Sequence, residues 1–198
     1  MKKFGWLLLL LAACNQKVQE ISKEVVIPND TIEVTDERVN NKVDTLFYAQ
    51  KPFSGTLIHR YPNGNIETTT QYYQGVQHGE YFGYYQNGAL KFNRPYQMGE
   101  KHGVHRGFYE SGAKEFEFIF EKGLSIGNHF EWYESGQVFR DMNFENGRER
   151  GSQKVYRPDG KLRANYVVRE NGRKYGMVGV KRCTNLDTEE EKLDPIKP

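Results

Sequence analysis

Glycine recurs in this chain at a fixed step, and this step constrains the fold more than any other feature. One set of glycines is spaced 24 residues apart: Gly64, Gly88, Gly112, Gly136 and Gly160. Two further sets keep the same step: Gly75, Gly99, Gly123 and Gly147, then Gly55, Gly79, Gly103, Gly127 and Gly151. A fixed period of this length indicates that one small structural unit is stacked along an array.

Aromatic residues follow the same period. Tyrosine stands three residues before the first glycine set, at Tyr61, Tyr85, Tyr109 and Tyr133. Each unit therefore divides into a strand, a Tyr-x-x-Gly turn, a second strand and a Gly-x-x-x-Gly loop. The pairs Asn63-Gly64 and Asn87-Gly88 favour hairpins because both residues of each pair tolerate positive φ. The pattern predicts a slip of one residue near Tyr156, where Tyr-Arg-Pro-Asp-Gly replaces the shorter turn.

These units predict an all-β fold, an elongated antiparallel β-meander of about five 24-residue β-hairpin repeats in a single twisted sheet over residues 46–183. Alternation along the strands separates two faces. The predicted core face carries Ile66, Thr68, Thr70 and Tyr72, then Leu90, Phe92, Arg94 and Tyr96, then Phe116, Phe118 and Phe120, then Val138, Met142 and Phe144.

The opposite face carries an aromatic stripe. Tyr84, Phe108 and Trp132 occupy equivalent positions, and Phe82 and Phe130 stand two residues before the first and last of them. One interpretation is cross-strand packing, which stabilises a sheet by about 0.2 to 1 kcal/mol per pair. The other is a binding surface for a glycan, a peptide or a lipid headgroup.

The N-terminus has the composition of a secretory signal. Lys2 and Lys3 precede an apolar run from Phe4 to Leu11, and the small residues Ala12 and Ala13 precede Cys14. The run is too short for a membrane-spanning helix, which needs about 20 apolar residues. We expect residues 1–13 to be the signal peptide, 14–45 a tether with possible capping strands at 25–27 and 32–34, and 184–198 a disordered acidic tail.

The stretch Leu11-Ala12-Ala13-Cys14 resembles the lipobox of bacterial lipoproteins. The resemblance implies cleavage before Cys14, acyl chains on its sulfur and new amino terminus, and attachment to a membrane of the cell envelope. Asn15, in place of the aspartate that signals inner-membrane retention in some bacteria, indicates the outer membrane. The alternative is an ordinary secretory signal, with Cys14 a free thiol or a disulfide partner.

Charge and cysteine content narrow the possible partners. The chain has 28 basic and 26 acidic residues, and loss of Lys2 and Lys3 would leave the two in balance, which argues against nucleic acid as a partner. Cys183 would then be the remaining thiol. It follows an apolar segment at 175–180, which favours burial, while a free thiol and a bond between two chains stay open.

Candidates for catalysis and metal binding are weak. Ser125 lies in Gly123-Leu-Ser-Ile-Gly127, which matches the hydrolase pattern Gly-x-Ser-x-Gly but occupies the ordinary loop of the repeat. His78 and His102 are equivalent positions two strands apart, about 9.5 Å, too far to share one metal ion. His102 and His105, on an adjoining loop and strand, are closer, but no second cluster of carboxylate and histidine accompanies them. We therefore predict a protein that is not an enzyme and has neither cofactor nor metal.

The recurring motif resembles the variant MORN repeat of bacterial proteins. It reads Tyr61-Pro-Asn-Gly64, then Gly75-Val-Gln-His-Gly79-Glu-Tyr81, and the resemblance covers about residues 46–176. It implies contact with membrane lipid or protein scaffolding, and many members are antitoxin-like. The resulting expectation is a lipoprotein anchored in the envelope through Cys14, whose array is a scaffold binding an envelope protein. Alternatives are binding of a carbohydrate or lipid headgroup through the aromatic stripe, an antitoxin-like role and a passive spacer.

Overall fold

A computed structural model describes residues 25–179, and these residues fold into β-strands and turns. The predicted all-β meander is confirmed. The strands of the first half are β1 (Thr31–Glu33), β2 (Val39–Lys42), β3 (Thr45–Tyr48), β4 (Lys51–Pro52), β5 (Gly55–Arg60), β6 (Ile66–Tyr73), β7 (Val76–Tyr84), β8 (Leu90–Asn93) and β9 (Tyr96–Gln97). Those of the second half are β10 (Glu100–Lys101), β11 (Gly103–Phe108), β12 (Lys114–Glu121), β13 (Leu124–Ser125), β14 (Gly127–Trp132), β15 (Val138–Glu145), β16 (Arg148–Tyr156), β17 (Leu162–Val168) and β18 (Lys174–Met177).

One long sheet follows the chain from β5 to β18, and each long strand pairs antiparallel with the next. Its first edge departs from the meander, because β1 pairs parallel to β5, with Ile32 opposite Leu57. Strands β2 to β4 form a separate three-stranded sheet beside this end. Within segment 14–45, expected to be a tether with possible capping strands at 25–27 and 32–34, the structure has β1 at Thr31–Glu33 and β2 at Val39–Lys42.

At one edge of the long sheet the strands are joined by the Tyr-x-x-Gly turns. In the first of them Gly64 N–H donates to Tyr61 O at 2.9 Å, and Tyr61 N–H donates to Asn65 O at 2.9 Å. Gly64 has positive φ, whereas Asn63 does not. This is a three-residue connection closed by a glycine bulge, so the predicted hairpin is present, but only Gly64 of the Asn63-Gly64 pair uses positive φ.

The two-residue turns lie at the opposite edge. Gln74 and Gly75 both have positive φ, at 50° and 82°, which is the geometry whose twist matches that of the flanking strands. The same turn recurs at Met98-Gly99, Lys122-Gly123 and Asn146-Gly147. In all four, the glycine N–H donates to a carbonyl of the preceding unit, at Phe53, Gln77, Lys101 and Ser125 respectively.

The predicted slip of phase near Tyr156 does not occur. Gly160 N–H donates to Arg157 O at 2.9 Å, so Arg157 takes the place of the turn tyrosine and the period holds. The departure from the repeat comes at the next connection between strands. Arg169 to Gly172 form another turn of the longer type, with Gly172 N–H donating to Arg169 O at 2.9 Å, where earlier units have two-residue turns.

A β-bulge follows each Tyr-x-x-Gly turn and changes which residues share a face. Because residues directly opposite each other in a ladder point to the same side, Thr68 lies with His59, but Ile66 lies with Arg60 on the other side. Leu90 and Val138 are displaced in the same way, opposite Tyr84 and Trp132. The prediction that these three aliphatic residues belong to the core face was therefore wrong, while Thr70, Phe92 and Phe116 remain on it.

We call the core side the packed face, since the buried side chains of β5 to β17 lie on it. They are Leu57, Thr70, His105, His129, Gln153, Ala164, Tyr166 and Val168. The other side is the open face. Two glycines of the packed face are covered by rings of the neighbouring strand, Gly83 by Phe92 and Gly107 by Phe116. Each ring occupies the space that a Cβ atom would need if the glycine were replaced. The rings therefore shield the backbone of this single-layer sheet from water at these two points.

Two aliphatic clusters close the ends of the array. The first joins the small sheet to the long one through Ile32, Leu46, Phe53 and Leu57. The second lies on the last hairpins and consists of Ala164, Tyr166 and Val168, with Val155 packed against them. End units of a repeat array need such caps because they have a neighbour on one side only.

Candidate functional site

The predicted aromatic residues lie together on the open face. Phe82 and Tyr84 end strand β7, and their ring centroids are 6.4 Å apart. Phe130 and Trp132 end β14 and stack at 5.7 Å. Phe108 ends β11, between the two pairs. All five side chains are partly exposed, so part of each ring reaches the surface.

Across the strands the stripe is not continuous. Tyr84 faces Leu90, Phe108 faces Lys114 and Trp132 faces Val138, so an aliphatic or basic residue separates each ring from the next. A fourth ring continues the pattern, because Tyr156 of β16 faces Leu162. We call the four rings the aromatic row: Tyr84, Phe108, Trp132 and Tyr156. Sequence reasoning missed Tyr156, although it stands 24 residues after Trp132.

The turn tyrosines fix the positions of this row. Tyr61 Oη donates to the backbone carbonyl of Tyr84 at 2.7 Å, and Tyr85 Oη donates to that of Phe108 at 2.8 Å. Tyr109 and Tyr133 make the same bond to Trp132 and Tyr156, at 2.8 and 3.0 Å. We call these four tyrosines the tyrosine spine. Each spine hydroxyl ties one unit to the next at a residue that carries a ring of the row.

A second row on the open face is polar. Arg106 Nε and Lys114 Nζ bond Glu117 at 3.2 and 3.3 Å, and Lys114 also lies 5.5 Å from the Trp132 ring centre. Partial burial opposes ionisation of Glu117, yet the bonds from Lys114 and Arg106 hold its pKa below the usual value. The row also contains Asn93, opposite Arg106, and Asp141, opposite Phe130 and Lys154.

The packed face contains two buried histidines, His105 and His129. His105 Nε2 bonds the carbonyl of Pro95 at 2.8 Å, and His129 Nε2 bonds that of Ile119 at 2.9 Å. Since a carbonyl only accepts, both rings carry their proton on Nε2. Gln153, the next equivalent, donates from Nε2 to Asn143 O at 2.8 Å. Each of these side chains donates a hydrogen bond to the backbone carbonyl of the residue ten positions earlier. This spacing can be read from the sequence once the position of the bulge is known.

Both histidines are held neutral by their surroundings. Burial lowers the pKa of His105 to about 4, although the bond to Pro95 partly opposes the shift. Burial lowers the pKa of His129 as well, against the bond to Ile119. Their rings lie among aromatic neighbours: His105 is 4.6 Å from Phe120, and His129 is 4.5 Å from Phe144. These contacts identify the pair as core residues, each with its Nε2 bonded to a backbone carbonyl.

Beside His129 the packed face opens into a groove of about 580 Å³. It crosses strands β12 to β17 and has apolar surface from Phe118, Met142 and Val155. Charged side chains of both signs stand along it. Arg140 pairs with Glu131 at 2.9 Å, and farther along Glu149, which also lines the groove, pairs with Lys174 at 2.7 Å and accepts a bond from Tyr166.

The weaker candidates are placed in structural roles. His78 Nδ1 accepts a bond from the Met98 N–H at 3.2 Å, across the two-residue turn. Ser125 lies in β13 opposite Phe120, and its carbonyl accepts the Gly147 N–H. Among residues 25–179 no three His, Cys, Asp or Glu side chains are arranged to hold a metal ion.

Cys14 and Cys183 both lie outside the described residues, as do the predicted signal peptide and the acidic tail. Within the described range, no helix is long and apolar enough to cross a membrane.

Comparison with known families bears on the repeat. Two stretches match the family model of the MORN repeat variant, residues 77–98 and 126–146. The first stretch runs through β7 and β8, and the second runs through β14 and β15. Among curated proteins, no match to this chain was found. The resemblance to this repeat is thus supported for two parts of the array, and it agrees with the β-meander.

Proposed function

We propose that this chain is a lipid-anchored envelope lipoprotein whose β-repeat array is a scaffold that binds a partner protein in the groove of the packed face. The groove is the observation that carries the binding part of the proposal. The anchor rests on Leu11-Ala12-Ala13-Cys14, the sequence that resembles a lipobox. The proposal assigns no catalysis to the chain.

The groove has the properties of a protein-binding surface. It crosses five adjacent strands, a width of about 19 Å at the usual strand spacing, enough for several residues of an extended segment. Met142 and Val155 offer apolar surface, while the pairs Glu131–Arg140 and Glu149–Lys174 supply both signs of charge. An apolar centre within a charged rim is the usual anatomy of a protein interface.

Partner binding is tested by site-specific photo-crosslinking in cells. A photoreactive amino acid is placed at Met142 in the groove and, as a control, at Val43, which is 97% exposed in the small sheet's turn. We expect one envelope protein to be crosslinked from position 142 and not from position 43. The additional change Arg140→Glu should weaken that adduct, because it puts like charge beside Glu131. Identical adducts from both positions, or none from 142, would refute the groove as the interface.

The anchor is tested separately. The native chain and Cys14→Ser are expressed with a C-terminal tag, partitioned into detergent and weighed by mass spectrometry. We expect the native chain to enter the detergent phase with a mass that starts at Cys14 and includes acyl chains. The variant should stay in the aqueous phase. Equal partition of both chains would leave the scaffold possible and remove the lipid anchor.

A further inference from the structure

The spacing of the aromatic row points to a ligand with its own repeat. Tyr84, Phe108 and Trp132 stand on alternate strands of the sheet, so their positions are about 9.5 Å apart at the usual strand spacing. This interval is close to the length of one disaccharide in an extended β-1,4-linked glycan. Aromatic faces pack well against the C–H surfaces of sugar rings. The tyrosine spine keeps the interval constant by tying each unit to the next.

The polar row beside these rings supplies groups that a sugar needs. Asn93 Oδ1 and Asp141 Oδ1 are both buried from water and accept no hydrogen bond within the described part of the chain. Buried polar atoms without partners are uncommon in proteins and call for an explanation. Lys114, which lies near the Trp132 ring, and its partner Glu117 offer a donor and an acceptor beside the row. Asn93 and Asp141 are only partly buried as residues, so a small shift of either side chain would let its oxygen accept a hydrogen bond from a glycan hydroxyl.

Charge on the open face argues for a neutral ligand. Arg106 and Lys114 are both paired with Glu117, and Asp141 stands opposite Lys154 in the ladder. Three basic against two acidic side chains leave a single positive charge in excess, which is a weak attraction for a polyanion. At the start of the row, a cleft of about 400 Å³ lies beside Tyr84, and the side chains of Asn65, Ile66 and Asn87 help to line it.

From these observations we infer that the open face binds a linear, neutral β-1,4-linked glycan laid across the strands, with every second sugar stacked on Tyr84, Phe108 and Trp132. The site is independent of the groove on the packed face and of the lipid anchor. Neighbouring strands are rotated by about 20–25°, so successive rings are not coplanar. The surface therefore suits a single twisting chain in solution better than the flat face of a crystalline polysaccharide.

Trp132 provides a direct signal for the test. The chain has two tryptophans, so Trp6→Phe in the full-length protein leaves Trp132 as the sole tryptophan. This parent is titrated with cellobiose, cellohexaose and chitohexaose, with fluorescence and calorimetry as readouts. We expect both hexasaccharides to change the emission of Trp132. Affinity should rise about tenfold or more from the disaccharide to the hexasaccharides, because three rings are engaged in place of one.

Variants locate the site. Phe108→Ala removes the central ring and should weaken hexasaccharide binding about tenfold while leaving cellobiose binding unchanged. Phe108→Leu is a second variant that keeps apolar bulk but removes the ring, in case the first does not fold. The matched control is Phe47→Ala, because Phe47 is another partly exposed ring with a lysine over it, in the separate small sheet. No binding by the parent, equal affinity for short and long sugars, or equal losses in Phe108→Ala and Phe47→Ala would overturn the proposal.

Discussion

The first unit of the array and its centre solve the same packing problem differently. Leu57 in the first unit and His129 in the centre occupy equivalent positions on the packed face. Leu57 packs into an aliphatic cluster with Ile32 and Leu46. His129 instead bonds the Ile119 carbonyl and packs against the ring of Phe144. The repeat thus determines the backbone conformation. The neighbouring side chains determine whether the buried residue is held by apolar contacts or by a hydrogen bond.

The largest loss of stability should come from disrupting the hydrophobic cluster that joins the small sheet to the long one. Leu46 is 1% exposed, so Leu46→Ala should lower the free energy of unfolding by about 2–5 kcal/mol, through lost apolar contact and the cavity left behind. Urea denaturation followed by circular dichroism measures the loss. Phe47→Ala, next to it but partly exposed, should cost less. A loss below about 1 kcal/mol for Leu46→Ala would show that the small sheet does not stabilise the array.

At the centre of the array, we expect stability to depend on which polar side chain occupies position 129. His129→Ala removes the donor to Ile119 O and the ring between Phe118 and Phe144, and should cost about 1–3 kcal/mol. His129→Gln should cost less, because Gln153 makes the same kind of bond at the next equivalent position. Thermal melts of the two variants give the comparison. If His129→Gln is as destabilising as His129→Ala, the hydrogen bond to Ile119 is not the reason that His129 stabilises the fold.

Acid should weaken the centre of the array through its two buried histidines. The folded pKa of His105 is about 4 and its ordinary value is 6.5, so the unfolded chain binds more protons between these values. Stability contributed by the neutral ring is present above pH 6.5 and is lost as pH falls toward 4. The pKa of His129 is lowered too, so it adds to the same loss.

The measurement is the melting temperature of the wild type and of the double variant His105→Gln/His129→Gln at several pH values. The wild type should lose stability relative to the variant as pH falls from 6.5 to 4. Carboxylates titrate in both proteins and cancel in the difference. A constant difference across this range would mean that the histidines do not stay neutral in the folded protein.

The smallest effect should come from the tyrosine spine, which both regions share. Tyr61→Phe in the first unit and Tyr109→Phe in the centre each remove one bond to a backbone carbonyl, and each should cost about 0.5–1.5 kcal/mol. Chemical denaturation of both variants tests whether the losses are equal. Unequal losses would show that the two regions differ in backbone linkage as well as in core composition.

Much of the fold could be predicted because glycine and tyrosine spacing reports turns directly. The 24-residue period located the strands and the two kinds of turn, one at each edge of the sheet. Face assignment failed at Ile66, Leu90 and Val138, since a bulge adds one residue and reverses alternation without leaving a mark in an apolar pattern. The parallel pairing of β1 was not predictable either, because it depends on contact with the distant strand β5.

The candidate surface was predicted in composition but not in arrangement. Tyr84, Phe108 and Trp132 could be recognised by their period alone. Their separation by Leu90 and Lys114 depends on strand register, which the period does not give. The buried hydrogen bonds of His105 and His129 were not predicted, because the equivalent residues are Leu57, Tyr81 and Gln153, so no single residue type marks the position.

The tyrosine spine also determines how the array would respond to tension. Strands hydrogen-bonded side by side separate one after another when a meander is pulled from its ends, so such a sheet resists force weakly. Each spine hydroxyl, however, bonds a carbonyl 23 residues ahead, so neighbouring strands cannot part without releasing a bond between units. Extension should therefore proceed in steps of one 24-residue unit, about 80 Å of extended chain. A protein pulled from its two ends would therefore unfold one unit at a time.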